Sequence, residues 1–444
     1  MKQEMDAKNL IKFILGTLFG VFFVLVPFNF DGTVDTILFY YVKLFVKQFN
    51  SQLSMVLMIC IIASAAISLF NLFNDKTFLG QNRLMKKLFV TSPFYVVNRI
   101  IGAVLTVMIY FQIGPSFLIS ADTGGSMLSL ATQLAVIVPS MLLFQTFILE
   151  FGGMEFLGEF IGKLVKPLFK VSEICATSII SAWVGPGNAA IMATKELFEN
   201  GYFTFREAAA IASHFTTGSI GWIVVVSSVL GVMDYFGLIL AGLLVVSIIV
   251  AVICVRIPPV SLYEDVYVDG TTEFKHVVLK EGNALTRGLH NAANRASEAG
   301  VKNFAAKIDN MTFYVFWLTP IIICWGTAAL VIALFTPVLG WISLPLELIM
   351  NLFGVKEAGI AASAIMSGLA DNYLPVIIGG SIQAASTKVI VAMMSILSII
   401  YLSETATLLS STKIIKKFWQ TILIFLERTY IALPFVILFV KVFM

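Results

Sequence analysis

The chain has 444 residues, of which 59% are hydrophobic and only 12% charged, with a mean hydropathy of +0.93. A soluble chain carries about 25% charged residues, so this composition excludes a soluble globular protein and implies many membrane spans. A net charge of +3 gives no reason to expect a nucleic-acid partner.

Lys2, Lys8 and Lys12 precede the apolar run Leu10–Phe28. No small-residue cleavage site interrupts it, so it reads as a retained first span. Crossing a bilayer takes about 20 apolar residues. The further candidates are Ser54–Phe73, Ile100–Ile119, Ser129–Leu149, Thr217–Val232, Tyr235–Val255, Met311–Leu334, Lys388–Leu409 and Phe418–Val440. Thr36–Phe49, Phe156–Phe169 and Trp341–Phe353 are apolar but shorter, and the first two carry charges at helical spacing. These three are expected in the membrane interface, with Phe39, Tyr40 and Tyr41 in an aromatic belt. Cys60, Cys175, Cys254 and Cys324 lie in apolar stretches without a CxxC motif and read as small core residues.

Basic residues cluster between the second and third spans, after Val255 and before the last span, while the loops at Asp122 and Asp234 carry none. With the N-terminus cytoplasmic, this satisfies the positive-inside rule, and a bacterial cytoplasmic membrane is expected. The loop 256–310 balances acid and base and reads as a solvated linker containing a polar helix.

The stretch Ser181–Glu196, SAWVGPGNAAIMATKE, breaks an apolar region with Gly185-Pro186-Gly187-Asn188. Its arms, Ile174–Val184 and Ala189–Asn200, have 11 and 12 residues, about 16–18 Å of helix and roughly half a 30 Å core. Two half-length helices around a helix-breaking tip predict a re-entrant hairpin, whose unpaired backbone must face protein or a wet cavity. A second copy appears at an offset of 184: Leu168, Phe169, Val171, Glu173 and Asn188 match Leu352, Phe353, Val355, Glu357 and Asn372. It breaks at Asp371-Asn372 and Pro375. Each hairpin is followed by a polar, glycine- or hydroxyl-bearing stretch inside an apolar segment, Ser213–Gly221 and Ser398–Thr407. These predict two partly unwound helices. Three spans separate the hairpins, so they enter from opposite faces. The expected fold is an all-α polytopic membrane protein of inverted repeats, each with a re-entrant helical hairpin and a partly unwound transmembrane helix. Such an arrangement points to a transporter with its site at mid-membrane. The expected parts are N-terminal scaffold helices (1–125), a first repeat (126–256), a cytoplasmic linker (257–310), a second repeat (311–410) and a C-terminal helix (411–444).

The stretch ISAWVGPGNAAIMATKELFENGYFTFREAAAIASHFTTGSI and the late LERTYIALP resemble the YjiH-type membrane proteins, which carry the nucleoside-recognition, or Gate, domain. That domain is shared with concentrative nucleoside transporters, ferrous-iron transport proteins and spore-maturation proteins. The resemblance implies that Gly185–Asn188, Asp371–Asn372, Thr216–Ser219 and Ser403–Thr405 lie where those transporters hold substrate and sodium. The glutamine/glutamate-rich nucleoside motif of those transporters is absent.

The expected substrate contacts are Gly185, Gly187, Asn188, His214, Asp371, Asn372, Ser403 and Glu404. Asn188 and Asn372 serve equally well as helix caps, and His214 as a hydrogen-bonded structural residue. Asp371, the only acid at a hairpin tip, can cap, ligate a cation or titrate. Thr216, Thr217 and Ser219 are the hydroxyl candidates for a sodium ion, the one coupling ion implied; no other cofactor is. Glu173 and Glu357 are expected to complement the dipoles of the hairpin arms. Glu427 and Arg428 lie deep enough in the last span to demand partners. No HExxH, GxSxG or phosphate loop is present, so an enzyme is not expected. The functional expectation is a secondary active transporter of a small polar solute, nucleoside-like or otherwise, coupled to sodium or protons, in a homo-oligomer. The competing readings are a non-transporting assembly or partner subunit and an ion-permeation protein.

Overall fold

A computed structural model describes residues 6–24, 26–30, 33–73, 83–184, 187–215, 220–273, 283–402, 405–412 and 414–444. Helices dominate. The first eight are α1 (Ala7–Val24), α2 (Ile37–Gln48), α3 (Asn50–Phe73), α4 (Arg83–Phe89), α5 (Pro93–Tyr110), α6 (Ser116–Ile119), α7 (Ser126–Glu150) and α8 (Gly153–Phe169). Next come α9 (Cys175–Val184), α10 (Gly187–Glu199), α11 (Phe205–His214), α12 (Ile220–Val229), α13 (Phe236–Cys254), α14 (Ala284–Glu298), α15 (Val301–Thr312) and α16 (Thr319–Phe335). The last six are α17 (Val338–Leu352), α18 (Ala358–Ser367), α19 (Leu374–Gly379), α20 (Ala385–Leu397), α21 (Thr405–Thr412) and α22 (Phe418–Phe443).

Among the described residues, seven helical stretches are long and apolar enough to cross a membrane: Ala7–Val24, Asn50–Phe73, Pro93–Tyr110, Ser116–Glu150, Met233–Cys254, Val301–Ile332 and Phe418–Phe443. The protein is thus a multi-pass membrane protein. Each of the seven overlaps an expected span. Of the other two expected spans, Lys388–Leu409 is interrupted, since α20 ends at Leu397 and α21 begins at Thr405, while Thr217–Val232 holds only the short α12, which begins at Ile220 after α11 has ended at His214. One element departs from the all-helical expectation. The first span stops at Val24, and Pro27–Phe30 (β1) pairs antiparallel with Thr33–Thr36 (β2), Pro27 opposite Thr36. The Asp31-Gly32 dipeptide between two alternating runs is a hairpin signal that the apolar count through Phe28 hides.

The helix boundaries repeat in register. Shifted by 184 positions, α8, α9 and α13 would cover 337–353, 359–368 and 420–438, and α17, α18 and α22 occupy Val338–Leu352, Ala358–Ser367 and Phe418–Phe443. Lys170 and Gly354, 184 positions apart, both take left-handed backbone, φ 54 and 63. The break after His214 maps to within a residue of the break after Leu397.

The chain divides into two compact units. Residues 37–143 with 301–344 form one. Its core gathers Leu57, Ile61, Ala103, Ile109, Ala131 and Ile323 from α3, α5, α7 and α16. Gly102 lies so close to α16 that a Cβ there would stand 2.1 Å from the Pro320 carbonyl oxygen. Arg99 is fully buried, where Nη1 donates to Ser68 Oγ at 2.6 Å and to the Leu88 carbonyl at 2.8 Å.

Residues 1–36, 144–300 and 345–444 form the other unit, which contains all the expected site residues. Here the loop helix α14 is docked, not solvated. Its small residues Ala292, Ala293 and Ala296 are buried, and Ala292 and Ala296 cluster with Phe13 of α1. Its charges face α8: Arg287 Nε reaches Glu159 at 2.9 Å, Asn291 donates to the same carboxylate at 2.8 Å, and Arg295 pairs with Glu150. Sequence balance of charge conceals this because the neutralising acids lie on α7 and α8, more than a hundred residues away. Arg256 donates to the Pro167 and Leu168 carbonyls, closing the C-terminal end of α8, where backbone acceptors are otherwise orphaned.

Candidate functional site

The site grows from four interrupted helices. At 1.5 Å per residue, α9 and α18, 10 residues each, reach about 15 Å and cannot span a 30 Å core. Each is followed by a break and a second short helix packed against it, α10 and α19. Gly187 opens α10. In the second pair the break covers 368–373, and Pro375 sits in the first turn of α19. The expected break at Pro375 therefore shifts upstream: proline lacks only an N–H that the first turn leaves free anyway.

Carboxylates tie each first arm to the broken helix that follows. Glu207 forms a capping box with Thr204 at the start of α11 and also accepts from the Ser172 N–H at 2.6 Å, just before α9. Glu357, just before α18, accepts from the Gln383 and Ala384 N–H groups at the start of α20, the latter at 2.9 Å. The Glu357 carboxylate therefore serves the N-terminus of α20 and not that of its own arm, because its left-handed backbone (φ 54) turns it away.

The breaks meet. Trp183, the penultimate residue of α9, and Phe215, just after α11, have ring centroids 5.7 Å apart, and Phe169 packs edge-on to Phe215 at 4.8 Å. In the second set the Leu402 N–H donates to the Leu369 carbonyl at 2.8 Å, joining the break after α20 to the break after α18. Across the two sets, Trp222 of α12 packs edge-on against Tyr373 at 4.5 Å. α10 also contacts α21, and α12 contacts α20.

Arg428 of α22 joins both broken helices. It is fully buried. Its Nη1 donates to the His214 carbonyl at 2.9 Å and its Nε to the Leu397 carbonyl at 3.0 Å. These are the last residues of α11 and α20, so one guanidinium satisfies the terminal acceptors of both. Each helix C-terminus carries about half a negative charge, and together they offset the buried cation. The pairing demanded by the depth of Arg428 is thus met by backbone, and the bundle is locked through it. Beside it, Ser398 and Thr429 share a hydroxyl hydrogen bond at 3.2 Å. Sequence reasoning expected a partner for Arg428 but not these carbonyls, which lie 214 and 31 residues away.

His214 is fully buried, yet neither ring nitrogen has a hydrogen-bond partner among the described residues. Its contact to Arg428 is made by the backbone carbonyl and not by the imidazole. Asp371 is 1% exposed, and its Oδ1 accepts from the Tyr373 N–H at 2.9 Å, the local turn that Asp favours. Asn372 is half-buried in the same turn. Asn188 lies in the first turn of α10, and its side chain is not among the described groups. Gly185, Thr216, Thr217, Ser219, Ser403 and Glu404 lie outside the described residues. An apolar cavity of about 480 Å³ adjoins the breaks, lined in part by Trp183, Ile223, Leu244, Ser247 and Leu397.

No family model matches the chain. The uncharacterized protein BpOF4_10220 of Alkalihalophilus pseudofirmus is 31% identical over 460 residues, covering 100% of this chain and 96% of its own. Among solved structures, the chain is similar to CNTnw in an inward-facing substrate-bound state, with a TM-score of 0.42 and 15% identity over 98% of this chain and 99% of that one. A CNTnw variant in an outward-facing state gives a TM-score of 0.40 and 13% identity, over 98% of this chain and 100% of that one.

Proposed function

The chain belongs to the same family as the Alkalihalophilus pseudofirmus protein, and we propose that it is a secondary active transporter that moves a small polar solute by alternating access. One observation carries this reading: two sets of interrupted helices converge, and a single buried arginine joins their broken ends. A scaffold subunit has no need of buried helix breaks with unpartnered polar groups, which are costly in a membrane. Segments 126–256 and 311–410 act as the two inverted repeats, with α9–α10 and α18–α19 as their re-entrant hairpins. The repeating boundaries and the odd number of spans between the hairpins support that arrangement. The hydroxyls of Thr216, Thr217 and Ser219 supply the coupling site for sodium, beside backbone carbonyls freed by the break. Protein in proteoliposomes should accumulate solute only with an imposed ion gradient. Asn188→Leu and Asn372→Leu should abolish uptake while still inserting and purifying, because loss of a cap alone costs only about 1 kcal/mol. Full uptake by both variants would reduce these asparagines to caps and remove the hairpin tips from the site.

A further inference from the structure

We propose that the buried cluster of nitrogen donors at the ends of α11 and α20 receives an anionic group, so that the solute is a small organic anion bound by Arg428 and the imidazole of His214. The inference rests on the transport reading for how the solute reaches a fully buried site. Arg428 uses Nη1 and Nε on the two helix ends. Its Nη2, which carries two further N–H donors, is buried without a partner among the described residues, as are both ring nitrogens of His214. The two residues are direct neighbours, because the arginine is bonded to the carbonyl of the histidine itself.

A buried donor without a partner is rare in native structures and calls for an explanation. Structural need does not supply one here. Packing alone would be served by a side chain that spends all its donors, and the helix ends take only two of the guanidinium nitrogens. No carboxylate pairs with Arg428 among the described residues. The helix dipoles offset its charge diffusely, but they leave Nη2 without an acceptor among the described residues. An anionic oxygen there forms a charge-assisted bond, about twice as strong as the bond a neutral carbonyl would make. A carboxylate and a phosphate both fit that chemistry. His214 adds a second donor, since even a neutral imidazole offers one N–H.

The test uses the purified full-length protein and matched probes: succinate against succinamide, uridine monophosphate against uridine, and inorganic phosphate alone. At least one anion should raise the melting temperature in a concentration-dependent manner, and its neutral counterpart should not. His214→Ala keeps the carbonyl that Arg428 holds. Its own cavity cost lowers the unliganded melting temperature, and the rise produced by that anion over this new baseline should correspond to binding weaker by about tenfold or more. Arg428→Lys, which keeps the charge and loses the fork, should weaken it too. Stabilisation by none of the anions, or equal stabilisation by the neutral members, overturns the inference. Exchange of solutes across proteoliposomes separates the two readings. Anion binding without exchange keeps the anion site and removes transport. Exchange of neutral solutes that His214→Ala does not affect keeps transport and removes the anion site.

Discussion

Replacing Arg428 with methionine keeps much of the side-chain volume and removes both donors to the ends of α11 and α20. The His214 and Leu397 carbonyls are then buried without the bonds seen at 2.9 and 3.0 Å. A hydrogen bond to a charged group contributes about 1.5–3 kcal/mol, whereas interhelical polar contacts inside membranes average nearer 0.6 kcal/mol. Because these two bonds are charge-assisted and cap helix ends, the lower charged value applies to each. The expected loss is about 3 kcal/mol, roughly two decades in the folding equilibrium. Arg428→Lys should recover about half of it, since one ammonium cannot reproduce a planar fork. The measurement is a reversible denaturant titration in mixed micelles, followed by far-ultraviolet circular dichroism. Glu427→Gln is the control for depth, because it lies one position away and outside the fork, and it should not lower the midpoint. A methionine variant that unfolds at the wild-type midpoint would refute the view that one side chain holds both breaks.

Cysteines introduced at Gly187 and Asp371 should be reached by impermeant thiol reagents from opposite faces of the membrane, at most one of them in a given conformation. Equal labelling from one side would end the inverted-repeat proposal. Sodium at constant ionic strength, with choline as control, should raise the melting temperature. No sodium effect, together with loss of a pH-dependent uptake in Asp371→Asn, would make the protein proton-coupled instead. Gly152→Ala should free α14, because Gly152 has φ 100 and a Cβ there would lie 2.4 Å from the Ala292 carbonyl oxygen. Faster tryptic cleavage at Arg287 would report the release, and an unchanged cleavage rate would show that the contact is dispensable.

Local chemistry made much of this legible from sequence. Gly-Pro-Gly-Asn announces a helix stop, and the structure ends α9 at Val184 and opens α10 at Gly187. The polar stretches after α10 and α19 likewise fall where α11 ends at His214 and where α20 ends at Leu397. What sequence does not disclose is which distant groups answer each other. Arg428 reads as a charge needing a partner, but its partners are backbone carbonyls that become acceptors only once two other helices end beside it. The same applies to α14, whose Ala292 and Ala296 signal close approach only when α1 and α8 are already in place. Glu357 shows the converse: a residue at the right spot for its own helix dipole is turned by a left-handed backbone toward the next helix.

In the proposed repeat arrangement, Arg428 has no counterpart. The position 184 residues earlier is Leu244, a half-exposed side chain on α13 that lines the apolar cavity. Both interruptions are thus held by one half alone, with no mirror partner. In the proposed inverted arrangement, two perfectly equivalent halves would make the states open to either side degenerate in energy. A latch owned by one half lifts that degeneracy, so the unloaded protein has a preferred resting face, and a Leu244→Arg exchange becomes the direct way to ask how strongly that preference is set.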